Sequence, residues 1–217
     1  MNLLIMGAAG AGKGTQAEKI VKKYKLAHIS TGDMLRKEIA NNTVLGVKAK
    51  EYIDGGHLVP DDVVIGMVKN RLNEKDCDNG FLLDGFPRTL QQAQSFAIIL
   101  DGLGKKVTHV INLEVDFDIL TERITGRRIC PSCKSIYHIT AKPSKVAGIC
   151  DNCQTELIQR SDDTKEELAI RLAEYHKLTE PVLDYYRNLN LVSNINSSQE
   201  VDKVFADIVN LLGDSHD

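Results

Sequence analysis

The sequence predicts an α/β fold in which helices cover both faces of a doubly wound, five-stranded parallel sheet. Three observations carry this prediction. Short apolar runs alternate with longer segments of helical periodicity along most of the 217 residues. A glycine-rich segment directly follows the first apolar run. Residues 128–160 contain four cysteines and no long helical stripe, so we expect a small insertion there.

The N-terminal elements follow from apolar runs and helix caps. The first strand, the first helix and the second strand are predicted at residues 2–6, 13–24 and 27–29. Ser30 and Asp33 provide oxygen atoms that can cap the next helix. Residues 31–75 are therefore expected to be mostly helical, with a break at residues 55–56 and a restart at residues 60–62.

The same alternation continues to the C-terminus. Apolar runs predict three more strands, at residues 81–83, 107–113 and 191–195, and a helix is predicted at residues 116–126. Capping-box spacings predict three helix starts, at Thr89 with Gln92, Thr164 with Glu167 and Ser197 with Glu200. The second of these helices is expected to reach about residue 187 with a kink or break at Pro181, and the third about residue 212.

The charge composition bears on whether the protein binds nucleic acids or membranes. The chain has 27 Lys and Arg, 30 Asp and Glu, and a net charge of −3. This balance favours neither a nucleic-acid partner nor a membrane surface. No targeting segment is visible, so we expect a cytoplasmic protein. Nothing in the sequence suggests an oligomer, so we also expect a monomer. Cys77 lies apart from the other cysteines, in a polar loop-like run, and we assign it no role.

Residues 7–15, Gly-Ala-Ala-Gly-Ala-Gly-Lys-Gly-Thr, form a phosphate-binding loop (P-loop) motif between a strand and a helix. Glycines let backbone N–H groups turn towards phosphate oxygens, and the helix N-terminus adds partial positive charge. Lys13 supplies a full charge. The motif ordinarily places Ser or Thr directly after the lysine, to meet Mg²⁺. Here Gly14 comes first and Thr15 second.

The cysteines of the insertion form two Cys-x-x-Cys pairs, Cys130 with Cys133 and Cys150 with Cys153. This spacing is typical of four-cysteine zinc sites, and a reducing compartment disfavours disulfides. Four thiolates leave no open coordination position, so the Zn²⁺ would be structural. Redox cysteines or free thiols remain the alternative interpretation.

Together with these motifs, residues 30–36 (Ser-Thr-Gly-Asp-Met-Leu-Arg), residues 84–89 (Asp-Gly-Phe-Pro-Arg-Thr) and residues 126–128 (Gly-Arg-Arg) give the sequence a family resemblance. Over essentially its whole length it resembles the adenylate kinase family, in its long-lid, zinc-binding bacterial type. The resemblance implies reversible phosphoryl transfer from Mg²⁺-bound ATP to AMP, giving two ADP.

The resemblance also implies site residues. The expected ATP contacts are Gly10, Ala11, Gly12, Lys13, Gly14, Thr15, Arg123, Arg127, Ile136, Tyr137 and Gln199. The expected AMP contacts are Thr31, Arg36, His57, Leu58, Val59, Gly85, Phe86, Pro87, Arg88, Gln92, Arg160 and Arg171. The expected catalytic cations are Lys13, Arg88, Arg127, Arg160 and Arg171.

Physical reasoning from the residues agrees with this assignment. Arg88 follows the third strand, and its planar fork suits a phosphate. Arg123 and Arg127, four residues apart, are expected on one face of a helix. Asp84 and Asp33 are candidates to hold the Mg²⁺ waters. No general base is needed, because an AMP phosphate oxygen is already ionised at neutral pH.

Three regions are expected by function: a core at residues 1–29, 61–126 and 164–217, an AMP-binding segment at residues 30–60, and a zinc-bearing lid at residues 127–163. A closing lid would exclude water from the transfer. Asp162 and Asp163 are expected at its hinge or latch.

Two other functions stay open from the sequence. One is a kinase of another nucleoside monophosphate, such as UMP, CMP or GMP. Thr31 speaks against this because the pyrimidine enzymes of the wider family tend to carry Ala at this position. The other is a nucleic-acid-binding zinc module, which the slightly acidic charge disfavours.

Overall fold

The computed structural model describes residues 1–213, and the main element of these residues is a five-stranded parallel sheet. Its strands lie in the order β2-β3-β1-β4-β7. They are β1 Asn2–Met6, β2 Ala27–Ser30, β3 Phe81–Asp84, β4 His109–Glu114 and β7 Val192–Asn196. Parallel pairing places the carboxyl ends of all five strands at one edge, where open α/β sheets bind ligands.

The helices come between the strands, as the alternating pattern predicts. They are α1 Lys13–Tyr24, α2 Thr31–Ala40, α3 Val44–Asp54, α4 Asp61–Leu72, α5 Leu90–Gly102, α6 Phe117–Thr125, α7 Lys165–Glu174, α8 Glu180–Arg187 and α9 Val201–Leu212. A π-helical turn, Tyr175–Thr179, joins α7 to α8 just before Pro181. The predicted break near this proline is confirmed.

The sheet is buried on both faces, so its strands are apolar without interruption. In β1, Leu4 and Met6 pack into a core with α4, α5 and α8. Leu3 and Ile5 point the other way, into a core with α1 and α9. The predicted doubly wound architecture is confirmed, with helices on both faces of the five predicted strands.

Three of the four predicted helix caps are present. The Ser30 Oγ accepts from the backbone N–H of Asp33 at 3.3 Å, and Thr89 caps α5 in the same way. Thr164 accepts from the backbone N–H of Glu167 at 3.1 Å. These bonds satisfy backbone donors that the first turn of a helix leaves free.

The cap predicted at Ser197 and Glu200 is wrong. Glu200 itself occupies the N-cap position of α9 and makes no side-chain cap bond. The Ser197 hydroxyl instead donates to the carbonyl of Ala11 at 2.7 Å, in the glycine-rich loop. A long-range partner has therefore replaced the local one.

Three other expectations need correction. Residues 31–75 have a second interruption, between α2 and α3, where Asn42 takes a left-handed conformation. Helix α6 ends at Thr125, so Arg127 lies on a strand and does not share a helix face with Arg123. Cys77 is fully buried in the core, not in a polar loop, because a short 3₁₀ turn directs it inwards.

The insertion contains regular structure that its sequence did not indicate. Strands β5 Arg127–Ile129 and β6 Ile136–His138 form an antiparallel pair. A single bridge joins Ile129 to Ile158 and closes the base of the insertion. Among residues 1–213, no helix combines the length and the apolar character needed to span a bilayer.

The packing of α3 against α2 generates a stability prediction. A Cβ atom at Gly46 would collide with the backbone carbonyl of Glu38 in α2. Gly66 in α4 has no such neighbour within 4 Å. We expect Gly46→Ala to lower the free energy of unfolding by about 1–3 kcal/mol, because the helices must separate.

The matched control is Gly66→Ala, which should raise the free energy of unfolding by about 0.5–1 kcal/mol because alanine favours the helix. Urea denaturation followed by circular dichroism measures both variants. A Gly46→Ala protein as stable as the wild type would show that α2 and α3 do not pack as described.

Candidate active site

The glycine-rich loop lies at the carboxyl end of β1 and leads directly into α1. Gly12 is the N-cap residue of α1, and its φ of 90° is in the left-handed region that favours glycine. No side chain caps this helix. The first backbone N–H groups of α1 are therefore free to bind an anion, as the sequence predicts.

Lys13 is held back against the same loop. Its Nζ donates to the carbonyls of Gly7 at 2.7 Å and Ala8 at 2.8 Å. The pKa of Lys13 is lowered to about 7, chiefly by burial and also by repulsion from nearby arginines, while Asp84 opposes the shift. A buried lysine among other cations is stabilised in its charged form when an anion binds beside it.

Arginines from five different segments converge near Lys13. Burial lowers the pKa of Arg88 to about 10, and repulsion from Arg171 adds to the effect. Burial likewise lowers the pKa of Arg160 to about 10, with Arg36 and Arg127 as its cationic neighbours. The predicted cations are thus brought together, close enough to repel one another.

Four carboxylates partly balance these charges. Arg127 makes a two-point contact with the fully buried Asp163, with its Nε 2.8 Å from Oδ2. The Nη1 of Arg171 lies 2.9 Å from Oδ2 of Asp162. Asp162 and Asp163 are therefore arginine partners and not only helix N-terminal charges.

Asp33 and Asp84 have different surroundings. Burial by itself would raise the pKa of Asp33, but Arg36 outweighs it and the net shift is downward. Arg36 lies 2.6 Å from Asp33, and Arg160 lies 3.8 Å from it. Asp84, at the end of β3, has no such ion pair among the described residues and faces the glycine-rich loop, with its Oδ2 4.0 Å from a Cβ built at Gly14.

Two cavities meet at this cluster. The first, of about 550 Å³ with its open mouth, reaches the glycine-rich loop and Lys13. The second, of about 620 Å³, is bounded by α2 and the chain around His57. Their common wall consists of Gly56, Leu58, Gly85, Arg88 and Arg171.

Nine of the twelve residues predicted to hold AMP line the second cavity, and Arg160 lines neither cavity. The Thr31 hydroxyl donates to the carbonyl of Gly85 at 2.9 Å. Arg36 and Val59 line the cavity directly. Phe86 and Pro87 are buried and line the first cavity instead, and the Phe86 ring packs edge-on against Phe96 in the core.

The Gln92 side chain is already bonded at both ends. Its Oε1 accepts from the backbone N–H of Arg88 at 2.7 Å, and its Nε2 donates to Asp61 at 2.7 Å. Thr89 also donates to Asp61. Gln92 therefore fixes the backbone of Arg88, whatever it contributes to a ligand.

The side chains predicted near the ATP base lie in different surroundings, and not all of them are free to contact a ligand. The Ile136 side chain lies over the glycine-rich loop, 3.1 Å from a Cβ built at Gly14. The Tyr137 side chain is buried in the insertion, where its hydroxyl accepts from the N–H of Asp151. The Gln199 side chain donates to Asn196 and Asp207. Tyr137 and Gln199 therefore offer mainly their backbone to a ligand.

The four cysteines of the insertion lie together, with all Sγ atoms within 4.8 Å of one another. The Sγ distances are 3.3 Å for Cys130–Cys153 and 3.5 Å for Cys133–Cys150, and all four are free thiols. A tetrahedral zinc site with Zn–S bonds of about 2.3 Å has S–S edges of about 3.8 Å. The cluster has the donor set and nearly the size for Zn²⁺.

The two cysteine pairs have matching surroundings. In each pair, the residue after the second cysteine donates its backbone N–H to the carbonyl of the first cysteine: Lys134 to Cys130, and Gln154 to Cys150. The hydroxyls of Ser135 and Thr155 lie 3.1 Å and 3.3 Å from the second cysteine. Hydrogen bonds from Thr155 lower the pKa of Cys153 to about 6. The repeated Cys-x-x-Cys-x-Ser/Thr pattern is visible in the sequence.

Glu174 is a residue of this region that the sequence did not single out. It lines the first cavity from α7. One carboxylate oxygen accepts from the N–H of Leu58 at 3.0 Å, and the other lies 2.7 Å from His57 Nδ1. An acidic residue in a helix gives no local signal of such contacts, because its partners are more than a hundred residues away.

Comparison with known proteins agrees with this geometry. The family model described as adenylate kinase matches residues 5–191. The chain is 53% identical to the adenylate kinase of Geobacillus sp. (strain WCH70) over 213 residues, which cover 98% of this chain and 99% of the relative. It is 52% identical to the adenylate kinase of Bacillus subtilis (strain 168), with 98% of both chains covered. The chain therefore belongs to the adenylate kinase family.

Proposed function

We propose that this chain transfers the terminal phosphoryl group of Mg²⁺-bound ATP to AMP, reversibly, giving two ADP. ATP would bind along the glycine-rich loop and AMP in the second cavity. Membership of the family and the identity to adenylate kinases over nearly the whole chain support this reaction. A kinase of another monophosphate and a nucleic-acid-binding zinc module are not favoured by the same comparisons.

One observation carries the proposal. Arg88 and Arg171 belong to the walls of both cavities, and Lys13 lies in the first beside them. A phosphoryl group passing between two nucleotides would therefore cross a region where positive charges already repel one another. Bound phosphates would relieve this repulsion.

The chemistry follows from this placement. Phosphoryl transfer requires in-line positioning and neutralisation of charge on the equatorial oxygens. Lys13 would hold the terminal phosphates of ATP, and Arg88 and Arg36 would orient the AMP phosphate. Arg127, Arg160 and Arg171 would neutralise negative charge on the phosphoryl group as it is transferred. The AMP oxygen that attacks is already ionised, so no side chain has to take a proton.

Mg²⁺, which kinases generally require, would supply positive charge that neutralises the phosphate oxygens. Asp84 is suited to hold its waters because it faces the loop and its carboxylate forms no ion pair with any of residues 1–213. Asp33 is less suited, because Arg36 and Arg160 already neutralise it.

The second cavity supports adenine as the nucleobase of the nucleotide that accepts the phosphoryl group. The Thr31 hydroxyl is oriented by its bond to Gly85, with its acceptor lone pairs left for a ligand donor. The backbone of residues 57–59 is held in place by Glu174. Fixed polar groups at a base edge discriminate between bases more strongly than apolar contacts.

Residues 127–163 would act as the lid and residues 30–60 as the AMP-binding segment, with the rest as the core. Three contacts support this division. Ile136 lies over the glycine-rich loop, the Ser161 hydroxyl donates to Asp54 at 3.0 Å, and Arg160 faces Asp33. The insertion thus touches both nucleotide sites, so closing it would exclude water from the transfer.

The four-cysteine cluster would bind one structural Zn²⁺. The insertion has only a small buried cluster of its own, formed by Cys130, Tyr137 and Cys150 with Leu157 packed against it. A metal site supplies folding free energy to a segment that cannot build a larger core. Because four thiolates fill the coordination sphere, the metal would take no part in the transfer.

We propose a monomer as the catalytic unit, as the sequence analysis expects. The cytoplasmic location expected from the sequence likewise stays a prediction.

The role of Lys13 gives the first test of function. Replacing it in Lys13→Met removes a charge from the transferring group, so kcat for ADP formation from ATP and AMP should fall on the order of a thousandfold or more. Lys22→Met, in the exposed part of the same helix, is the matched control and should keep the wild-type rate. Substantial residual activity in folded Lys13→Met would contradict the assignment.

The structural role of zinc gives a second test. Cys130→Ser should lose the bound zinc, measured by elemental analysis, and should lower the Tm measured by calorimetry, because the lid loses its cross-link. At temperatures below its lowered Tm, the Cys130→Ser variant should still form ADP from ATP and AMP. Ser132→Ala, exposed in the same cysteine pair, should keep both zinc and Tm. Abolished turnover in a fully folded Cys130→Ser enzyme would show that the metal is not purely structural.

A further inference from the structure

The loop after β7 is attached to the glycine-rich loop by a serine for which the sequence suggested a different role. Ser197 is buried, at 3% exposure. Its backbone N–H donates to the carbonyl of Glu114 at the end of β4, at 2.7 Å. Its hydroxyl donates to the carbonyl of Ala11 at 2.7 Å. One residue thus joins two strand ends to the loop that follows β1.

A second side chain holds the other end of the same segment. Gln16, in the first turn of α1, is 2% exposed. Its Nε2 donates to the carbonyl of Val201 at 2.9 Å, while its backbone N–H donates to Gly12. Residues 197–201 are therefore fixed at both ends to the segment formed by Ala11, Gly12 and Gln16.

These two bonds bracket Gln199, whose backbone is proposed to flank the base of ATP. The spacing between the base-contacting backbone and the phosphate-binding loop therefore depends on two side chains that are not themselves proposed to contact ATP. Fixing two parts of a site in their bound geometry saves the ordering cost when the ligand binds. This preorganisation favours the binding of ATP, which contacts both parts, and does not affect the binding of AMP.

On the basis of the proposed function, we propose that Ser197 and Gln16 are positioning residues for ATP. They set the distance between the base end and the phosphate end of the donor nucleotide. AMP binds on the far side of Arg88 and gains nothing from them. A purely stabilising pair of hydrogen bonds would make no such distinction between the substrates.

The test compares Ser197→Ala with Ser193→Ala, which changes the same residue type on β7 where the side chain has no hydrogen bond among residues 1–213. In Ser197→Ala we expect KM for ATP to rise about five- to tenfold, because residues 197–201 would then have to be ordered when ATP binds. KM for AMP and kcat at saturating ATP should not change. Ser193→Ala should match the wild type in all three constants.

Inhibition by inorganic tripolyphosphate separates the two halves of ATP. Tripolyphosphate occupies the phosphate loop without a base, so its inhibition constant against ATP should be the same in wild type and Ser197→Ala. A rise in that constant equal to the rise in KM for ATP would overturn the proposal, because the phosphate loop itself would then be damaged.

Gln16→Met provides an independent variant if Ser197→Ala folds poorly, since it removes the bond to Val201 and keeps the side-chain length. It should reproduce the selective rise in KM for ATP. The proposal is overturned if the folded variants keep the wild-type KM for ATP, or if KM for ATP and AMP rise together. Failure of the proposed function is distinguishable, because the wild type would then form no ADP from ATP and AMP.

Discussion

The structure depends on one electrostatic constraint, the crowding of like charges between two cavities. Lys13 and Arg88 have pKa values lowered by burial and by neighbouring arginines, so the folded chain holds cations in an environment that disfavours them. Asp162 and Asp163 pair with Arg171 and Arg127 but do not remove the repulsion. Repulsion between these charges destabilises the folded chain. Phosphate binding relieves the repulsion and therefore gains affinity.

The fold makes this crowding possible. Parallel strands end at one edge, so segments distant in the chain deliver charged residues to the same place. The glycine-rich loop follows β1 and Arg88 follows β3, while β1 and β3 are neighbours in the sheet. Apolar cores on both faces keep these ends in register. The sheet edge therefore fixes the charges before any ligand arrives, as preorganised catalysis requires.

The sequence predicted those parts of the molecule that local physics controls. Five strands, the glycine-rich loop and most caps depend on residues close together in the chain, so their patterns are readable. Ser197 shows the limit, since its spacing from Glu200 fits a capping box but its hydroxyl bonds to Ala11, 186 positions away. Arg127 was placed on a helix because its spacing from Arg123 fits one, whereas the strand pair with β6 begins there. The burial of Cys77 and the contacts of Glu174 likewise depend on distant segments.

One chain is proposed to hold both nucleotides at once, across a common wall that contains Arg88 and Arg171. Calorimetric titration with two adenosines joined by five phosphates, a mimic of bound ATP and AMP together, measures this directly. We expect one molecule bound per chain, with affinity lost when either excess ATP or excess AMP is present. Two molecules bound per chain, or competition with only one nucleotide, would contradict the claim.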